Sequence, residues 1–261
     1  MQFWDGIRPY FSGLVRFLHI SYIETVSEHR GAYLGILWVP LSSLLFSALL
    51  ALVFHHSESK NPTEFFLYVL TGYVFWNFIS DSVTGSTDVI QKRFEFAVHN
   101  NLSLVGLFGK LLIDRLFQLF LNFSLVILVI LIFAPEKIGA NILLIIPFLV
   151  LIVTSSLGIA YLVNLVTIFY PDTRTLFSVG MRFMFFASPV FWSAHEVMHG
   201  PRAFLVKFNP AAYYLSILRQ IFAIEPFAMK AWIIAAAASA VVSLAGFIAY
   251  RSSQGFIRNL K

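Results

Sequence analysis

Six long apolar segments dominate this chain, at residues 34–54, 65–85, 111–133, 142–169, 174–193 and 231–250. A helix needs about 20 mostly apolar residues to cross the hydrocarbon core of a bilayer. Hydrophobic residues make up 59% of the sequence and charged residues 12%. A water-soluble fold of 261 residues cannot hide that much apolar surface. The expectation is an all-α, polytopic membrane protein with six transmembrane helices, forming a single domain over residues 1–261. Six spans and their loops leave no stretch for a soluble catalytic domain.

The polar segments organise the rest. Residues 7–26 repeat Ile7, Phe11, Leu14, Leu18, Tyr22 and Val26 at helical spacing, with Arg8, Ser12, Arg16, His19 and Glu24 on the other face. This predicts an amphipathic helix lying in the membrane interface, within a cytoplasmic segment 1–33. Interrupting charges and the lack of a small-residue cleavage site distinguish it from a cleaved signal peptide. Residues 194–229 are amphipathic and broken by Gly200, Pro201, Pro210 and Pro226. Lys and Arg fall unevenly on the two sides. Arg8, Arg16, Arg30, Lys92, Arg93, Lys110, Arg115, Arg174, Arg182, Arg251, Arg258 and Lys261 share one side, 12 of the 18. That bias places both termini in the cytoplasm. Cysteine is absent, which excludes disulfides and thiolate metal sites. A net charge of +5, thinly scattered, does not make a nucleic-acid surface.

His195-Glu196-Val197-Met198-His199 is a formal H-E-x-x-H match, the spacing that puts two zinc-binding imidazoles and a base on one helix face. Gly200 and Pro201 follow at once and would end that helix. The competing reading is a polar cap on an external loop. A membrane-embedded zinc metalloprotease stays as an alternative function.

The segment Arg30-Gly31-Ala32-Tyr33-Leu34-Gly35-Ile36-Leu37-Trp38-Val39-Pro40 carries another signal. Arg30 is placed at headgroup level, and Gly31 and Gly35 read as a small-xxx-small step for close helix approach. This run resembles the start of the first span in the membrane subunits of ABC-type polysaccharide exporters, the O-antigen, capsule and teichoic-acid permeases. Asp172-Thr173-Arg174 through Ser188-Pro189-Val190-Phe191-Trp192 resembles the fifth span of that family. Phe208-Asn209-Pro210 resembles its Asn-Pro turn before the last span. The three stretches occur in the family order, and the resemblance covers most of the chain. One departure is Pro171, where the family often has Arg before the Asp.

The resemblance implies a homodimeric pore in the bacterial inner membrane, partnered by two copies of an ATPase subunit. No cofactor is expected on this chain, since ATP and magnesium would sit on the partner. The sequence contains no G-x-x-x-x-G-K-[ST] loop; Gly106 to Lys110 is too short for one. The chain is therefore expected to be a transport subunit and not an enzyme. The cargo implied is a polyprenyl-diphosphate-linked polysaccharide, O-antigen or capsule, with a drug or small lipid as the alternative. Arg30, with Arg8 and Arg16, is the candidate diphosphate site. Gln91, Lys92, Arg93, Phe94 and Glu95 form a short charged helix suited to seating in the ATPase. Tyr33, Trp38, Tyr73, Trp76, Phe185 and Phe186 offer rings on which sugar C–H faces stack, and Arg182, about 12 Å along its helix from Arg174, needs a cavity or a partner. Asp114 and Asp81 are the candidate partners. Asp114, Gln118 and Asn122 share one helix face, read either as a hydrated path or as a hydrogen-bonded seam. Pro189 and Trp192, at the outer end of span five, and Asn209, Pro210, Tyr213 and Tyr214, between spans five and six, are the external-gate residues that the resemblance implies.

Overall fold

The computed structural model describes residues 2–55, 61–99, 102–192 and 201–258, with side chains placed for all of these except 2–12, 94, 98, 201–202, 254 and 256–258. Among the described residues the chain is helical, with no strand: α1 (Gln2–Glu28), α2 (Trp38–Phe54), α3 (Pro62–Thr84), α4 (Val89–His99), α5 (Leu104–Phe133), α6 (Ile145–Phe169), α7 (Thr173–Ala187), α8 (Pro201–Phe208), α9 (Pro210–Ile221) and α10 (Met229–Arg258). The all-α expectation holds.

Among the described residues, four stretches are long and apolar enough to cross a membrane: Gly35–Phe54, Leu104–Phe133, Ala140–Phe169 and Met229–Ser253. They correspond to the first, third, fourth and sixth predicted spans. The second and fifth differ, for separate reasons. α3 has 23 residues, about 34 Å of helix, but Asn77, Ser80, Asp81 and Ser82 dilute its apolar run. α3 is also the central helix, with α2, α5, α6, α7 and α9 packed around it. A helix sheathed by protein can carry polar groups that lipid would not tolerate. α7 has only 15 residues, about 22 Å, against a hydrocarbon core of about 30 Å. It stops short of residue 193 because Ser188 precedes Pro189. A proline ring forces its predecessor into extended backbone, and Ser188 has φ −94° and ψ 148°.

Local chemistry sets the other boundaries. Asn61 caps α3 by accepting from the Thr63 N–H, with Pro62 at the first helical position. Ser103 caps α5 by accepting from the Gly106 N–H at 3.1 Å. That cap starts α5 seven residues before the predicted position 111, so Lys110 and its neighbours belong to the long helix. Between α1 and α2 the expected small-xxx-small contact does not form. Gly31 and Gly35 have φ of +92° and +51°, backbone that glycine adopts without strain. An added Cβ on either would meet nothing within 4 Å. These glycines bend the chain and do not pack helices.

The close helix approach lies elsewhere. α10 rests on α6 along most of its length, and a Cβ on Gly158 would fall 2.6 Å from the Val242 carbonyl oxygen. The bundle has two distinct ends. One gathers α1, α4, the start of α5 and the loop before α7. The other gathers the end of α2, the start of α3, residues 188–192, α8 and α9. The main core lies between them, built from α3 (Leu70, Phe75), α5 (Val126, Ile130), α6 (Phe148) and α9 (Leu215, Leu218).

Candidate functional site

At the α4 end, three helices meet on one carboxylate. Asp114 of α5 accepts from Arg93 Nη1 of α4 at 2.9 Å on one oxygen. Its other oxygen accepts from Ser21 Oγ of α1 at 2.6 Å and from Lys110 Nζ one helical turn back. Lys110 also donates to Glu24 of α1 at 2.9 Å. Lys110 is wholly buried, whereas the Arg93 side chain is 38% exposed. Beside this junction lies a polar cavity of about 470 Å³ lined by Asp81, Asp88, Lys92, Arg93, Asp114, Arg115, Gln118 and Arg174. Asp88 pairs with Lys92 at 2.6 Å and with Arg174 at 3.7 Å. Arg115 donates to Ser86 Oγ at 2.8 Å and to the Ser82 carbonyl at 3.4 Å. These groups are partnered as a network, which lets charges sit at the end of an apolar bundle without a bare ion in a poor solvent.

In the middle of the bundle, aromatic rings from α2, α3 and α7 converge. Tyr73 lies 4.6 Å from Phe46 and 6.3 Å from Phe185, ring centre to ring centre. Trp76 is 5.9 Å from Phe185, and Phe185 is 5.3 Å from Phe186. Phe191 closes the group against Phe54 at 4.5 Å. α7 sits on this cluster with none of its residues buried. Leu176, Val179, Phe183 and Phe186 form an exposed stripe at helical spacing.

At the α9 end, one arginine organises the backbone. Arg219 is 1% exposed. Its Nη2 donates to the carbonyls of Pro189 at 2.8 Å, Val190 at 3.2 Å and Tyr68 at 3.3 Å. Nη1 reaches Glu225 at 3.5 Å, and the guanidinium lies over the Tyr68 ring, 3.3 Å from its centre, a cation–π contact. Gly72 makes the space: a Cβ there would stand 2.5 Å from Arg219 Nη2. Asn209 caps α9 by accepting from the Ala211 N–H at 3.0 Å, while its Nδ2 donates to Ser188 Oγ at 2.7 Å. The Ser-Pro-Val and Asn-Pro stretches, far apart in sequence, thus touch.

With 24% identity over 201 residues, 76% of this chain and 76% of the relative, the protein aligns with the O-antigen export system permease protein RfbA of Myxococcus xanthus. The chain resembles an export permease. This bears out the resemblance to polysaccharide-exporter permeases drawn from the three sequence stretches. No protein-family model matches the chain.

The residues singled out in the sequence of this permease-like chain divide into groups. Tyr73, Trp76, Phe185 and Phe186 come together. Tyr33 and Trp38 do not join them. Both are exposed, Tyr33 in the α1–α2 turn and Trp38 at the start of α2, and Trp38 is two helical turns, about 12 Å, from Phe46. Arg16 is exposed on α1, and Arg8 lies on α1 where side chains are not described. Arg182 is exposed on α7. The pairing of Arg182 with Asp114 is corrected: Asp114 is taken by Lys110 on its own helix, by Arg93 of α4 and by the Ser21 hydroxyl of α1. Asp81 lines the cavity with Arg115. The polar face Asp114, Gln118, Asn122 is divided in use, because Asn122 Nδ2 donates back to the Gln118 carbonyl at 2.9 Å. On α4, Gln91 accepts from Asn164 Nδ2 at 3.0 Å, Arg93 turns to Asp114, and Lys92 and Glu95 are exposed. The Phe94 side chain is not described. Pro189 is buried, Pro210 is exposed at the start of α9, and Trp192 donates to the Phe186 carbonyl at 3.3 Å. Tyr213 donates to the Lys207 carbonyl at 2.9 Å, while Tyr214 is buried with its hydroxyl 2.5 Å from Ser239 and 2.8 Å from Ser155. The H-E-x-x-H stretch, 195–199, lies outside the described residues. No site role for Arg219 or Lys110 is read from the sequence. The signal for Arg219 was its place one residue after Leu218 and three before Phe222, on a helix whose apolar face had to be buried.

Proposed function

We propose that this chain is the six-span membrane subunit of an ATP-driven ABC exporter that moves polyprenyl-diphosphate-linked polysaccharide, O-antigen or capsule, across the bacterial inner membrane. α3 and α7 are then the second and fifth spans. α7 is extended across the bilayer by residues 188–192, and α8 and α9 are the external gate helices. Both termini and α4 face the cytoplasm, and the chain works as a homodimer with two ATPase subunits. Arg30, with Arg8 and Arg16, attracts the diphosphate, and α4 meets the ATPase. The chain itself hydrolyses nothing.

The observation that carries this reading is α7. A helix in a bundle normally buries a stripe, yet α7 buries no residue and holds rings and Arg182 at an open surface. A path between two copies supplies the missing neighbour. The aligned relative, an O-antigen export permease, supports the same cargo class, and weak repeated contacts on Tyr73, Trp76, Phe185 and Phe186 suit a polymer that must slide. Deleting the gene and analysing cell extracts tests it. Lipid-linked polymer should accumulate inside the cells and clear on complementation. If small molecules alone accumulate, the cargo assignment fails.

A further inference from the structure

We propose that Asp114 is a transmission residue, coupling movement of α4 to the grip of α1 on α5. This inference rests on the reading that α4 meets the ATPase and that α1 borders the lipid-headgroup site. α1 and α4 each pack on α5, and the carboxylate of Asp114 touches both: Arg93 on one oxygen, Ser21 and Lys110 on the other. Lys110 in turn divides its ammonium between Asp114 and Glu24. Two cations and two carboxylates balance.

The balance depends on its most solvated member. Lys110 is sealed from solvent, and the Arg93 side chain is 38% exposed, so Arg93 can leave for water at far smaller cost than Lys110. With Arg93 in place, Asp114 is neutralised from the α4 side and Lys110 is free to hold Glu24. With Arg93 withdrawn, Lys110 is the cation left to Asp114, and the ammonium it shares with Glu24 is committed to Asp114. Glu24, 42% exposed, then passes into water, and α1 loosens. A purely apolar contact between α1 and α5 would hold as firmly but would not respond to α4. The loosened helix runs directly into the Gly31–Gly35 bend, where positive φ at both glycines gives the chain a pivot carrying Arg30 and Tyr33. α4 has a second tether in the Gln91–Asn164 bond to α6, which limits how far it can leave the bundle.

The test uses the full exporter with its ATPase. The chain has no cysteine, and the Tyr22 and Phe117 rings of α1 and α5 lie 6.5 Å apart, so a Tyr22→Cys, Phe117→Cys pair reports the α1 grip by disulfide crosslinking. In the otherwise unaltered exporter, crosslinking should differ severalfold between the nucleotide-free and non-hydrolysable-ATP states. Asp114→Asn keeps the shape and the Ser21 contact but removes the charge. It should abolish that difference and lower export about tenfold, within the range of ordinary coupling energies, while ATP hydrolysis by the complex stays within about twofold. Glu24→Gln should give low crosslinking in both states. Crosslinking that is insensitive to nucleotide in the unaltered exporter overturns the proposal, as does Asp114→Asn keeping the full response. Loss of ATP hydrolysis and assembly in Asp114→Asn also overturns it, because Asp114 would then be a folding residue. Failure of the underlying reading is separate: the unaltered chain would show no ATP-dependent export at all.

Discussion

The two ends of the bundle solve the same problem in opposite ways. Each must hold charged groups beside an apolar interior. The α4 end spreads the task over many partners: Lys110, Asp114, Arg93, Glu24 and Ser21 share bonds, and Asp88 serves both Lys92 and Arg174. Several of these side chains are partly exposed, so water can replace a lost partner. The α9 end concentrates the task in Arg219, which is buried and joins α3, α9 and residues 189–190 through three carbonyls. A distributed network tolerates the loss of a peripheral bond and can rearrange. A single buried guanidinium cannot be lost without removing a donor from three carbonyls and the cation from Glu225 at once. The first arrangement suits a moving junction, the second a fixed one.

The sharpest way to break this contrast is Arg219→Met. Removing one partner of a buried pair typically costs about 3–5 kcal/mol, so thermal unfolding of the purified protein in detergent should drop by many degrees and export should be lost. A small drop would mean that the α9 end is as tolerant as the other. Gly72→Ala attacks the same site from the opposite side, since its Cβ would stand 2.5 Å from Arg219 Nη2 and 2.9 Å from the Val190 carbonyl. Overpacking of this kind costs about 1–3 kcal/mol, measured in the same unfolding assay. Asn209→Ala removes a helix cap and the bond to Ser188, for about 1 kcal/mol. Combined with Ser188→Ala it should be clearly non-additive, as residues in contact are; simple additivity would show that the two stretches touch without holding one another. The smallest effect is expected at the α4 end. Lys92→Ala breaks an ion pair whose lysine side chain is 71% exposed, so stability should stay within about 0.5 kcal/mol. A large loss there would make the network as brittle as the arginine at the other end.

Much of the fold was legible because its causes are local. The apolar runs of α2, α5, α6 and α10 mark helices long enough to span. Asn61-Pro62 and Asn209-Pro210 start helices through a capping side chain and a fixed φ. Pro189 ends α7 through its effect on Ser188. The error at Gly31 and Gly35 was also local in origin. Small residues four apart serve either a helix contact or a bend, and spacing alone does not distinguish them. The aromatic cluster was half legible. Tyr73, Trp76, Phe185 and Phe186 were singled out as sugar-stacking rings, but the separation of Tyr33 and Trp38 from them follows only from the turn between α1 and α2.

By itself the sequence determined an all-helical chain built to lie in lipid, its breaks, and a family resemblance that a curated permease bears out. It did so because hydrophobic transfer, proline sterics and capping act over a few residues. Only the tertiary structure decided which charge answers which. Ser21 and Asp114 are 93 positions apart, Arg219 and Tyr68 are 151 apart, and any of several cations satisfied the pattern equally well on paper. A buried charge takes the partner that packing delivers, and packing is a property of the whole bundle.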